Sequence, residues 1–282
     1  MSGAVIKLKN IPPQPSESAM SEAILKVTGL TKNFGGIKAI DNVDLDIHPG
    51  EIVALIGPNG AGKTTFFNCL TGIYTPSSGD IHLRNPESGK ETKLNGMKPN
   101  KITKMGMART FQNIRLFPTM SVLENVMIGR HCRTKALILG AIFRNQATMR
   151  EEEEIIEMSY GLLKKVGLHR QVNEEARNLS YGAQRRLEIG RALATEPFLL
   201  LLDEPAAGMN PQETEVLVTL IRKICKEGHS ILLIEHDMKL VMTLSDRIFV
   251  MDYGKKIAQG TPEEVRANPA VIKAYLGEEV DA

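Results

Sequence analysis

Gly57-Pro58-Asn59-Gly60-Ala61-Gly62-Lys63-Thr64 sets a lysine and a hydroxyl directly after a glycine-rich turn, in the spacing Gly, four residues, Gly-Lys-Thr. The chemistry implied is capture of a polyphosphate. Glycines let the backbone curl so that its N–H groups converge on phosphate oxygens, and a following helix adds the partial positive charge of its N-terminus. Lys63 is suited to the β and γ phosphates of a nucleoside triphosphate, and the Thr64 hydroxyl to Mg²⁺. Asp203 and Glu204 follow the apolar run Phe198-Leu199-Leu200-Leu201-Leu202. They therefore stand at the carboxyl end of a predicted buried strand, where open α/β sheets place their ligands. Asp203 is suited to hold Mg²⁺ through water, and Glu204 to polarise the water that attacks the γ phosphate. His236 follows the next apolar run, in Glu235-His236-Asp237, and an imidazole there can contact the same phosphate. Ser180 and Gly182, within Leu179-Ser180-Tyr181-Gly182-Ala183-Gln184-Arg185-Arg186, open a predicted helix from Tyr181 to Ala194. A serine cap and nearby glycine at a helix N-terminus make a second anion site.

These residues need elements to hold them. Ile52 to Ile56 reads as a short buried strand and Thr64 to Thr71 as the first turns of a helix, the strand, loop, helix order that the phosphate loop requires. Upstream, Ile24 to Val27 and Val43 to Ile47, with turn signals at Asn33 to Gly36 and Pro49-Gly50, predict an antiparallel β layer. Phe34 lies in that layer and is open to two readings: an aromatic face that stacks on adenine, or a buried strand end. Gly79 to Leu83 reads as a further strand and Pro86 to Asn100 as a surface loop.

From Val122 to Gly167 the periodicity is helical, with Leu123, Val126 and Met127 at helix spacing and Ile155, Met158, Leu162 and Val166 on one face. Glu151 to Glu154 reads as the first turn of the later helix. Phe198 to Leu202 and Ser230 to Ile234 are continuous apolar runs, expected of parallel strands covered on both faces. Arg247 to Met251 reads as an edge or surface-layer strand that turns at Asp252-Tyr253-Gly254. The fold class is α/β: a mainly parallel sheet flanked by helices, with an antiparallel β layer and an inserted helical subdomain.

Composition narrows the function. The 282 residues are 42% hydrophobic and 24% charged, ordinary for a globular protein, and a net charge of +2 makes no case for a nucleic-acid partner. Three scattered cysteines, Cys69, Cys132 and Cys225, read as free thiols of a reducing compartment. The longest apolar run, Ala136 to Phe143, is far short of the roughly 20 residues that span a bilayer. Residues 1–20 are rich in proline and serine and are read as a mobile extension without a secretory signal. His131 and His169 carry no ligand spacing.

The order of these motifs resembles the nucleotide-binding subunit of an ATP-binding-cassette (ABC) transporter, over roughly Ile24 to Gly277. The phosphate loop, Gln112 after Thr110-Phe111, the signature at Leu179 to Gln184, Asp203-Glu204 and His236 all fall in the family order. The resemblance implies a P-loop NTPase core at 21–112 and 179–282, around a helical subdomain at 113–178. It implies ATP and Mg²⁺ as ligands, with Gly57, Pro58, Asn59, Gly60, Ala61, Gly62, Lys63, Thr64 and Thr65 on the phosphates. Phe34 would lie on the adenine, and Gln112 would touch metal and water. Glu204, His236 and Gln112 would be the catalytic group, and Thr64, Gln112 and Asp203 the metal ligands.

It further implies a second ATPase subunit, identical or not, joined head to tail so that Ser180 and Gly182 meet nucleotide held by the partner. Two transmembrane permease subunits and, indirectly, a periplasmic or extracellular substrate-binding protein complete the expected assembly, at the cytoplasmic face of the cell membrane. The chain expressed alone is expected to be soluble. Arg109 to Phe117, Asp203 to Pro211 and the tail Gly260 to Gly277 resemble more narrowly the LivG type of branched-chain amino-acid importer.

Urea or a lipid as the transported solute, or a soluble cassette protein working on nucleic acid or ribosomes, are the alternatives. The last usually pairs two cassettes or carries a long coiled coil, and this chain shows one cassette without sustained heptads. Two departures from the common pattern stand out. Tyr181 and Ala183 replace the first Gly and the Gln after the signature serine, which bears on its side-chain contacts. Asn210 stands where many members have Asp, which bears on communication between facing sites.

Overall fold

Ile52–Ile56 (β3) is buried along its whole length, because the sheet it belongs to is covered on both faces. The computed structural model describes residues 22–130, 132 and 146–280. Its larger sheet has six strands in the order β10-β9-β3-β8-β7-β6. These are Lys255–Gly260 (β10), Arg247–Asp252 (β9), β3, Ser230–Ile234 (β8), Leu199–Asp203 (β7) and Met107–Arg109 (β6). All neighbours are parallel except β10, which runs antiparallel to β9.

Alternate residues of these strands feed two separate cores. Ala54, Leu200, Leu202, Leu233 and Val250 face helices that include Tyr181–Leu193 and Pro211–Lys226. Val53, Leu55, Leu201, Leu232 and Phe249 face Phe66 and Phe67 of Lys63–Leu70 and the second sheet. That sheet is antiparallel, in the order β2-β1-β4-β5: Ile37–Ile47, Leu25–Phe34, Ser78–Arg84 and Glu91–Lys93. The expected α/β class, with an antiparallel layer on a mainly parallel sheet, is what the chain adopts.

Several local expectations are corrected. Arg247 to Met251 is not an edge strand: β9 lies between β3 and β10, and Ile248 to Met251 are buried. Pro86 to Asn100 is not all loop, since Glu91–Lys93 pairs with β4 and a short helix begins at Pro99. The helix expected to open at Glu151 to Glu154 starts earlier, at Gln146, so its first turn carries no acidic residue. On that helix Met158 is 44% exposed while Ser159 and Leu163 are buried, and Val166 is buried just past the helix end. Of the thiols, Cys69 is buried, and burial pushes both Cys69 and Cys225 up to about 11. The extension 1–20, His131 and the run Ala136 to Phe143 lie outside the described residues. No helix among the described residues is long and apolar enough to cross a membrane.

The helical segment is packed by close backbone approach. A Cβ on Gly129 would come within 2.4 Å of the Arg191 carbonyl oxygen, so only glycine lets Val122–Arg130 lie this near to Tyr181–Leu193. Ser121 and Glu175 form an antiparallel bridge that ties the beginning of this segment to its end.

Candidate active site

The carboxyl ends of β3, β7 and β8 gather the predicted residues. After Ile56 the chain turns at Gly57, where φ is 151° and a Cβ would lie 2.0 Å from the Met251 carbonyl oxygen. Glycine is the residue that fits there, so the loop is pinned against β9. Pro58 and Ala61 are buried, while Asn59, Gly60 and Thr64 are exposed at the rim and Thr65 is half-buried. Lys63 opens the helix, is only 6% exposed, and donates from Nζ to the Gly57 and Pro58 carbonyl oxygens at 2.5 and 2.8 Å. Its ammonium group thus crosses the concave side of its own loop.

Glu204 follows β7 with φ at 46°, a left-handed conformation that turns its side chain away from the strand direction. Its two oxygens are separately engaged. Gln112 Nε2 donates to Oε2 at 2.7 Å, and His236 Nε2 lies 2.7 Å from Oε1. Gln112, Glu204 and His236, far apart in sequence, therefore form one cluster whose outer members are exposed.

Asp203 is 4% exposed and holds Arg109 through Oδ2 at 2.7 Å. Arg109 also donates to Asn68 Oδ1 at 2.7 Å, and its guanidinium lies over the rings of Phe67 and Phe111. The Thr64 hydroxyl, the Gln112 amide oxygen and the Asp203 carboxylate are all hard oxygen donors, the chemistry that suits Mg²⁺. No group of three His, Cys, Asp or Glu side chains among the described residues could hold a metal unaided. The remaining ligands would have to be phosphate and water, as Mg²⁺ usually arranges.

Ser180 and Gly182 are placed differently. Ser180 is exposed and caps Tyr181–Leu193, its Oγ accepting from Ala183 N at 3.4 Å. Gly182 N donates to Glu213 Oε1 at 3.3 Å. Their hydrogen bonds run to the signature helix and to Pro211–Lys226, not to the phosphate loop. The two departures fit these contacts. The Tyr181 hydroxyl accepts from Arg185 at 3.1 Å, and Asn210 Oδ1 accepts from Glu213 N at 2.9 Å in a reciprocal capping box. Phe34 is 42% exposed, edge-on to Tyr74 at 5.2 Å between ring centres and with the Lys32 ammonium over its face. It is not the buried strand end of the second reading.

The residues that join these parts have no motif of their own. Arg185 is fully buried and donates to the Phe111 and Gln112 carbonyl oxygens at 2.6 and 2.7 Å and to Glu188 Oε2 at 2.9 Å. The signature helix thereby holds the backbone of the loop that carries Gln112. An Arg and a Glu three apart on the otherwise apolar inward face of this helix are the signal in the sequence. Glu235, beside His236, likewise has no motif of its own. It is 4% exposed, and burial holds its carboxyl above the usual range.

A phosphate loop on β3, two acids ending β7 and a histidine after β8 define a P-loop ATPase of the cassette type. The ABC transporter family model matches residues 40–207, and the chain belongs to that family. A second model, for the branched-chain amino acid ATP-binding cassette transporter, matches residues 255–281. The chain is 48% identical to the high-affinity branched-chain amino acid transport ATP-binding protein LivG of Escherichia coli strain K12, over 92% of this chain and 100% of that one. It is 49% identical to the corresponding protein BraF of Pseudomonas aeruginosa over the same shares. Among solved structures, the ADP conformation of MJ1267, an ATP-binding cassette of an ABC transporter, matches with a TM-score of 0.78 at 31% identity, covering 91% of this chain and 100% of that chain.

Proposed function

We propose that this chain binds and hydrolyses ATP to power an importer of branched-chain amino acids. The observation that carries the chemistry is Glu204, held at 2.7 Å by both Gln112 and His236. A carboxylate fixed on both sides keeps one orientation, in which it can take the proton of a water attacking the γ phosphorus while the bond to the β-phosphate oxygen breaks. ADP and phosphate are the products. Gln112 orients that water, and His236 donates to the γ phosphate as negative charge shifts toward the leaving oxygen. Mg²⁺, held by Thr64, Gln112 and Asp203, would neutralise the phosphate oxygens. Lys63 exchanges its loop carbonyls for the β and γ phosphates, the backbone of Gly57 to Thr65 cradles them, and Phe34, already exposed, stacks on adenine.

Residues 21–112 and 179–282 act as the ATPase core, and 113–178 as the helical subdomain that moves against it. A second subunit completes each site. MJ0796, a bacterial ABC transporter cassette similar to this chain at 27% identity with a TM-score of 0.69, has a dimeric structure. Branched-chain amino acids are favoured as the solute by the match at residues 255–281 and by LivG and BraF. The chain sits at the cytoplasmic face of the membrane by docking on two permeases, which a substrate-binding protein supplies from outside.

Lys63→Ala tests this reading at two levels. In the purified chain it should weaken ATP binding by about tenfold or more, since a charge-assisted phosphate contact is worth roughly 1.5–3 kcal/mol. In cells lacking their own cassette subunit, the wild-type chain with its permeases should restore leucine uptake and the variant should not. Unchanged ATP affinity would remove Lys63 from the site, and restored uptake of another solute class but not leucine would overturn the substrate assignment.

A further inference from the structure

The parallel ladder between β7 and β8 ends where the site begins. Asp203 pairs with Ile234, and Glu204 N makes one more bond to the Ile234 carbonyl oxygen at 2.9 Å. Beyond that point the left-handed backbone of Glu204 carries one chain away, while the other continues to His236. The ladder can no longer fix the distance between them, yet Glu204 and His236 must meet within 2.7 Å.

Glu235 takes over where the ladder stops. Its Oε1 accepts from Ala206 N at 2.8 Å, on the far side of Glu204, and its Oε2 accepts from His236 N at 3.2 Å. One side chain therefore gathers backbone donors from both loops, and it does so 96% shielded from water, where such bonds are not exchanged for solvent. Only an acceptor with two oxygens and no donor can serve these N–H groups together.

We propose that Glu235 is a positioning residue for hydrolysis: its carboxylate clips the loop after Glu204 to the loop bearing His236, so that imidazole and catalytic carboxylate stay in register. This rests on the roles given above to Glu204 and His236. Glu235 acts through the backbone groups it holds and is assigned no part in the chemical step. Loss of the clip lets His236 drift away from Glu204, and an error of about 1 Å at a reacting centre can cost 10²-fold in rate.

The test uses the full chain and three measurements. Glu235→Ala should lower kcat for ATP by about tenfold or more and leave nucleotide affinity within about twofold, with Glu235→Gln, which keeps one acceptor, in between. In a His236→Ala background, adding Glu235→Ala should change the residual turnover by less than about twofold, because a residue that acts through His236 has nothing left to position. The ¹⁵N spectrum of the His236 imidazole should show one fixed tautomer in the wild type and an averaged one in Glu235→Ala, a change that general loosening of the fold would not confine to this ring. If Glu235→Ala does not fold, the isosteric Glu235→Gln carries the same comparisons.

Wild-type kcat in the Glu235 variants, or a full additional loss in the His236→Ala background, overturns the clip. Should His236→Ala itself turn over normally, the assigned role of His236 fails and takes this proposal with it. A strong His236→Ala defect beside an intact Glu235→Ala would remove Glu235 alone.

Discussion

Glu204→Gln is expected to bind Mg-ATP as tightly as the wild type and to lose about 10² to 10⁴ of its hydrolysis rate, the range typical of removing a general base. The substitution keeps the shape of the side chain and one acceptor, so the Gln112 and His236 contacts at 2.7 Å are only partly disturbed and the ATP-binding surface around Lys63 is untouched. What disappears is the ability to accept a proton from water. No neighbouring acid is placed to substitute. Asp203 is 4% exposed and paired with Arg109, and Glu235 spends both oxygens on backbone N–H groups. Single-turnover assays with radiolabelled ATP separate binding from chemistry. Turnover above one tenth of wild type would remove Glu204 from the base role.

The strands that build this site were legible because their environment is uniform. Ile52–Ile56 and Ser230–Ile234 have the ends expected of them, since strands buried on both faces are apolar throughout. Two strands not expected from the sequence pair for reasons that are not in their own side chains, and a third, Met107–Arg109, is too short to show a pattern. Glu91–Lys93 is Glu-Thr-Lys and is held only by its ladder to β4. Lys255–Gly260 is similarly polar and covers β9, which is why β9 itself reads as an edge from sequence. On Gln146–Lys165 the apolar Met158 stood in for the true inward position, Ser159, because periodicity counts hydrophobic residues and cannot credit a buried serine.

The site divides the same way. Glycine, lysine, acid and histidine types at strand ends point to phosphate chemistry without any structure. What could not be read was which side chain holds which loop: Arg109 on Asp203, Arg185 on the backbone at Gln112, and Glu235 on Ala206 and His236 are contacts across long stretches of chain. Such partners are set by strand order, and strand order is what the sequence leaves open.

Ser180→Arg is expected to abolish ATP-driven pairing of two subunits and lower hydrolysis by about 10² or more, while the isolated chain binds ATP within about twofold of wild type. Ser180 is exposed at the start of Tyr181–Leu193, and its bonds lie within the signature helix rather than with Lys63. A large cation there meets no obstacle in the single chain. In a closed pair it would be driven into the space that the partner's γ phosphate and Lys63 must share, and the volume of an arginine keeps the two surfaces apart. In the proposed arrangement backbone N–H groups at the helix start would supply most of the phosphate contact, so that Tyr181 and Ala183 would be accommodated where Gly and Gln are common. The signature helix also holds the Gln112 loop through Arg185, so failure to close is expected to be felt at Gln112, the proposed water-orienting residue of the same chain. Size-exclusion chromatography with ATP in a Glu204→Gln background, which prevents the nucleotide from being consumed, reports the pairing directly, and nucleotide titration of the monomer reports affinity. A Ser180→Arg monomer that no longer binds ATP would show the signature acting on its own chain's nucleotide, and the two-subunit site would have to be abandoned.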